Sequence, residues 1–173
     1  QSRPQFSDAY YHLGLIHSHL GQLEQAEHFY RQAIATAPAF MQAYGNLGLV
    51  LNRLGRPMEA LSNYMTAMTL HESVEVKIGA AECLQRIPLD ASHGYLRDVL
   101  TRAIAEAWRR PEELACAAVS LLKSDARIWP AAVPASPVGL QSLEVSDALS
   151  LAACGNDELL LGLLHSATVR DAT

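Results

Sequence analysis

The sequence predicts an all-α chain, an α-α superhelix of two helix hairpins followed by a capping helix and additional helical hairpins. Three observations predict it. First, AYYHLGLIHSHLG at residues 9–21 is followed 34 positions later by AYGNLGLVLNRLG at 43–55, and the two agree at seven of thirteen places. A period of that length belongs to units of two helices that bury a core only by stacking on one another. Second, small and apolar residues recur at helical spacing, with Tyr10, Leu13, Gly14 and His17 on one helix and Ala26, Tyr30, Ala33 and Ala37 on the next. Third, turn residues fall at matching places: Gly21 and Gly55 suit a helix C-terminus, Pro57 a first helical turn, and Pro38 the end of a helix.

The two hairpins occupy residues 1–74. Gly14 and Gly48 stand inside helices, where glycine costs about 0.5–1 kcal/mol relative to alanine, so their recurrence implies a close approach that admits no side chain. Tyr30 and Tyr64 are the rings expected to fill the space between hairpins. Tyr10, Leu13, Gly14, Gly21, Ala26, Tyr30 and Ala33 recur as Tyr44, Leu47, Gly48, Gly55, Ala60, Tyr64 and Ala67, whereas Pro38 is answered by Glu72. Over residues 7–74 this 34-residue frame resembles the tetratricopeptide repeat, in two consecutive copies.

Beyond residue 74 the frame fades. A third copy would have Ile78 for the aromatic and Ala81 for the leucine, but Glu82 stands where glycine is expected and Pro88 interrupts the chain. Residues 75–90 are therefore expected to form a helix that caps the stack. Residues 91–125 read as a helical hairpin: one helix over 95–110, with Leu96, Val99, Leu100, Ala103, Ile104 and Ala107 as its apolar stripe, and a second over 110–125 opened by Pro111, Glu112 and Glu113. Residues 126–142, with prolines at 130, 134 and 137, read as a Pro-rich linker, and 143–173 as a short helical pair divided at Gly155 and Asn156. The opening without Met and the stop after Thr173 suggest a segment of a longer protein. Residues 93–171 also resemble, in general character, the region before the catalytic domain of bacterial repeat-fused class I S-adenosylmethionine-dependent methyltransferases. That resemblance implies an enzyme downstream, with this segment recruiting its substrate or dimerising. The segment itself has no strand ending in a glycine-rich turn that could hold the cofactor.

Composition narrows the function classes. Thirteen Lys and Arg against eighteen Asp and Glu give a net charge of −5 with no basic stripe, which argues against nucleic acid and anionic membrane as partners. No apolar run of about 20 residues is present to span a bilayer. Cys83, Cys116 and Cys154 are widely spaced in Ala/Leu-rich helical contexts, which fits reduced core thiols in a cytoplasmic protein. No nucleophile has a base that sequence can place beside it, and the carboxylates read as scattered over solvent faces. His12, His17, His19 and His28 crowd the first repeat, but His17 and His19 point apart and His12 and His19 lie too far along the axis for one ion, so no metal is expected. No cofactor is expected either.

The candidate site is the face that the stacking frame leaves open. In tetratricopeptide superhelices the first helix of each repeat lines the concave side. That resemblance places Tyr11, His12, Leu15 and His19, then Gln42, Asn46, Leu49 and Arg53, on a groove for a peptide or protein segment, with Asp8, Ser18, Gly45 and Asn52 beside them. These amphipathic groups can hydrogen-bond an extended backbone and stack on its side chains. Asn46 stands where repeats resembling those of the O-GlcNAc transferase array carry a ladder asparagine, and His12 replaces it in the first copy. A chaperone-tail carboxylate clamp would need Lys and Asn where Tyr11 and Leu15 stand, so that ligand class is disfavoured. The expectation is a non-enzymatic scaffold for a protein or peptide segment, a downstream domain of the same chain included, and an exposed stack end could also form a homo-oligomer.

Overall fold

The computed structural model describes residues 4–89 and 91–110, together with 113, 114, 117, 118, 120 and 121. The expected linker at 126–142, the short helical pair at 143–173 and most of the methyltransferase-like stretch lie outside the described residues. The described residues are helical, with no strand among them. The chain divides into two compact units, Gln1–Ile87 and Pro88–Thr173.

The first unit holds five helices: α1 (Pro4–His19), α2 (Leu23–Thr36), α3 (Met41–Arg53), α4 (Pro57–Leu70) and α5 (Val74–Arg86). α1 packs on α2 and α3 on α4 as hairpins, α2 meets α3 between them, and α5 packs on α4. Both hairpin turns close in the same way. Gly21 and Gly55 adopt φ of +76° and +77°, and the amides that follow them, at Gln22 and Arg56, donate to the carbonyls of His17 and Leu51 at 2.9 Å. A left-handed residue with this six-to-one bond satisfies carbonyls that a helix end would otherwise leave bare, and glycine adopts it without a Cβ clash. α4 opens on Pro57, whose missing N–H lies in the unpaired first turn, and Ser73 caps α5 by accepting from the Val76 amide at 3.3 Å.

The interior glycines mark the points of closest approach. A Cβ built on Gly14 would lie 2.6 Å from the Tyr30 ring, one on Gly48 3.0 Å from Tyr64, and one on Gly79 2.5 Å from the same tyrosine. Each buried tyrosine thus lies over a helix that presents backbone instead of side chain. Around these rings Ala26, Ala33, Ala43, Leu51, Ala60 and Ala67 are sealed from solvent. His17, which the repeat frame alone does not account for, bonds through Nδ1 to Gln22 Oε1 at 2.6 Å and stacks on Phe29 at 5.0 Å. It fastens the first turn of the stack.

Leu13, expected on the packing face with Tyr10 and Gly14, is instead 39% exposed, and Phe6, Ile16 and Leu20 are more exposed still. The positions 34 residues on include Leu47 and Val50, which are 3% and 0% exposed because α2 covers that side of α3. Among the described residues no hairpin covers α1 in the same way. The carboxylates are also not all scattered on solvent faces. Glu27 on α2 is buried and accepts from Arg31 at 2.6 Å and from Arg56 Nη1 at 2.8 and 3.0 Å, while Arg56 also pairs with Glu59. One guanidinium thereby ties the first hairpin to the second. Glu27→Ala strips Arg31 and Arg56 of a shielded partner and is expected to cost about 1.5–3 kcal/mol in urea unfolding, the range for hydrogen bonds to charged groups. A loss under about 0.5 kcal/mol would place the tie among ordinary surface ion pairs. The hydrogen bonds from Arg56 hold the Glu59 carboxyl below the usual range. Its share of stability is therefore present above about pH 4.5 and lost as pH falls through the lowered folded value, and solvent screening keeps that share small because both side chains are well exposed.

In the second unit a 3₁₀ segment, Ala91–Leu96, leads into α6 (Arg97–Ala105), whose Leu100, Ala103 and Ile104 are buried. The helix expected over 95–110 ends five residues early. Ala107 turns to φ +49°, and the Trp108 amide reaches back to the Ala103 carbonyl at 3.0 Å, closing the helix as the two glycine turns do. Side chains support this alanine in a conformation that ordinarily favours glycine: Trp108 Nε1 donates to Glu106 at 2.8 Å, and Arg102 bonds Glu106 while lying 5.7 Å from the Trp108 ring centre. The described residues among 113–121 are helical.

Candidate functional site

A groove of about 600 Å³ opens on the first unit, where the inner faces of α1, α3 and α5 come together. It takes in Tyr11 from α1, Gln42, Asn46 and Leu49 from α3, and Ile78 from α5. Four of the eight candidate groove residues are therefore assembled in one place. The other four, His12, Leu15, His19 and Arg53, do not line it; His12, His19 and Arg53 are exposed and Leu15 is half-buried.

The helical period explains the grouping on α3. Gln42, Gly45, Asn46 and Leu49 follow i, i+3, i+4, i+7, so they share one face, while Ala43, Leu47 and Val50 are buried on the other. Gly45 keeps the floor open: a Cβ there would meet only Val76, at an ordinary 3.7 Å. Leu49 is 45% exposed, an apolar side chain offered to solvent beside amides that can still accept and donate.

Asn46 is not idle. Its Nδ2 donates to Tyr11 Oη at 3.0 Å, so two candidate recognition residues hold each other across α1 and α3. The amide retains a further donor and its carbonyl oxygen as an acceptor. Tyr11 is more than a recognition residue, because its ring packs against Phe40 at 4.9 Å and Tyr30 at 6.0 Å. Truncating it would disturb the stack as well as the groove, contrary to the expectation that it lies outside the packing frame. Asn52, expected on the open face, is buried instead: Arg86, 34 residues on, donates to its backbone carbonyl at 2.9 Å and to its Oδ1 at 3.0 Å.

The sequence frame missed the α5 wall. Glu75, Ile78 and Glu82 lie at i, i+3 and i+7 and line the groove, and His71 and Ser73 line it from the α4–α5 connection. That spacing is legible as one helix face, but the third copy departs from the frame at Ile78, Ala81 and Glu82, so the repeat pattern points to a cap for α5.

The chemistry available is recognition by shape and hydrogen bonding. Cys83 is a buried residue of α5, and burial, then the Glu82 charge, pushes its thiol up to about 12, so it holds its proton at neutral pH. Burial likewise pushes the Tyr30 phenol up to about 12, with Tyr11 adding to it. Among the described residues no group of three His, Cys, Asp or Glu side chains is arranged to hold a metal ion, and no helix is long and apolar enough to cross a membrane.

Comparison with known families gives two matches. A family model described as tetratricopeptide repeat matches residues 7–40, and a second model of the same description matches residues 29–62, a frame that begins within α2. No curated protein matches the chain.

Proposed function

We propose that this chain, a tetratricopeptide repeat protein over residues 7–62, holds an extended peptide or protein segment in the groove between α1, α3 and α5. Tetratricopeptide repeats mediate protein–protein interaction. The observation that carries the finer reading is the convergence of Tyr11, Gln42, Asn46 and Leu49, residues from two successive first helices, on one open groove. An extended segment leaves its backbone N–H and C=O groups unpaired, and side-chain amides spaced one turn apart on α3 can satisfy them while Leu49 and Ile78 shelter its apolar side chains. The occupant can come from another protein or from elsewhere in the same polypeptide.

The test uses the chain as bait for a display library of random twelve-residue peptides, followed by affinity measurement on the selected sequences. Gln42→Ala with Asn46→Ala removes two neutral hydrogen-bonding groups, each worth about 0.5–1.5 kcal/mol, and is expected to weaken binding roughly tenfold with little change in melting temperature. Tyr11→Phe keeps the ring packing and removes only the hydroxyl that Asn46 engages. Selected peptides that bind the double variant as tightly as the parent would place the binding surface elsewhere.

A further inference from the structure

Away from the groove, α1 turns an apolar face to solvent. Phe6, Leu13, Ile16 and Leu20 are 50%, 39%, 54% and 66% exposed, and at about 100° per residue they fall within about 80° of arc on one side of the helix. An apolar stripe of this kind marks a contact waiting to be made. The chain itself shows what covers such a stripe. Phe40, Leu47, Val50 and Leu54 stand 34 residues on, identical but for Val in place of Ile, and there α2 packs on α3 and Leu47 and Val50 are sealed. The approach recurs too: Pro4 and Phe6 match Pro38 and Phe40, which lie in the link that brings α2 to α3.

The two seats differ in one respect. At the second, Arg56 donates to the buried Glu27 of α2; at the first the matching residue is Gln22, whose Oε1 is bonded to His17. A helix seated on α1 therefore finds no guanidinium where α2 finds one, and a carboxylate in the place of Glu27 would be buried without that partner. Size decides between a tethered helix and a second copy of the chain. Four side chains exposed to this degree offer roughly 400 Å² per chain, so two α1 faces pressed together fall short of the roughly 1,200 Å² of specific interfaces, whereas a tethered helix escapes most of the entropy cost of association. We propose that this face of α1 seats a helix of the α2 kind, borne by the same polypeptide and reaching α1 through Pro4–Phe6, with a neutral residue where α2 has Glu27. Pro4–Phe6 form the first turn of α1, and seating such a helix opens that turn into a link like Ala37–Phe40.

Inserting a second copy of residues 7–40 between Phe6 and Ser7 of the whole chain supplies such a helix through the native link, with Glu27→Gln in the added copy. Amide hydrogen exchange across the original α1 should then slow at least about tenfold relative to the parent chain, because its outer face is covered. Ile16→Lys with Leu20→Lys in that α1 should remove the slowing. In the parent chain, where both side chains are exposed, the same two changes should leave the melting temperature within about 2 °C. An added copy that keeps Glu27 should protect α1 less than the Glu27→Gln copy. Unchanged exchange would overturn the proposal, as would protection that survives the two lysines or is no weaker with Glu27 retained. A parent chain that sediments as a dimer, and as a monomer once the two lysines are present, would assign the face to a second copy and overturn it as well.

Discussion

Tyr64→Ala is expected to lower the stability of the chain by about 3–5 kcal/mol, the range for emptying a buried aromatic site. The ring is 4% exposed, and its atoms lie where a Cβ on Gly48 of α3 or on Gly79 of α5 would collide with it. Tyr64 is therefore the side chain through which α4 holds both the helix before it and the helix after it, and neither glycine can fill the space it vacates. Urea unfolding followed by circular dichroism measures the loss. A change below about 1 kcal/mol would mean that α5 does not depend on this contact and that the groove wall it forms is held by other means.

The second large effect is overpacking. In Gly14→Leu the first side-chain atom alone would sit 2.6 Å from two atoms of the Tyr30 ring, far inside contact distance, and the ring is 1% exposed with little room to yield. Overpacking costs about 1–3 kcal/mol, and the better helix propensity of leucine returns at most about 1, so the net change should be a destabilisation of about 2 kcal/mol. Gly45→Ala supplies the opposite sign. There the added methyl meets only Val76 at 3.7 Å, nothing is displaced, and propensity should prevail with a gain of about 0.5–1 kcal/mol. Two glycines on equivalent helices would then respond in opposite directions, which composition and propensity alone do not predict. Equal responses would contradict the packing account.

The parts of the fold legible in the sequence are those the repeat states twice. Gly14 with Tyr30 and Gly48 with Tyr64 appear as paired recurrences, and Gly21 and Gly55 mark both turns, so the hairpins follow from the period. Leu13 shows the limit: it is as apolar as Leu47, but burial depends on what stacks against it, and that is a property of the neighbouring unit. Glu27 was illegible for a related reason, because its partner Arg56 lies 29 residues away on the next hairpin and no local spacing connects them. At the candidate site, the α3 face could be read directly from the i, i+3, i+4, i+7 course of Gln42, Gly45, Asn46 and Leu49. The α5 wall has a one-face course too, at Glu75, Ile78 and Glu82, but these carry none of the repeat's recurring residues, so the frame reads that helix as a cap and not as part of the open face. His12 and Leu15 share the frame positions of Asn46 and Leu49, and His19 that of Arg53, yet none of His12, Leu15, His19 and Arg53 lines the groove that α5 helps to wall.

If one face of α1, α3 and α5 receives an extended segment, amide chemical-shift mapping on titration with a peptide selected by the chain will reveal it. The largest shifts should then fall on residues 42–49 and 75–82 and at Tyr11, with the interior of α2 unmoved. Shifts centred on α2, or on the exposed side of α1 around Leu13 and Ile16, would contradict it.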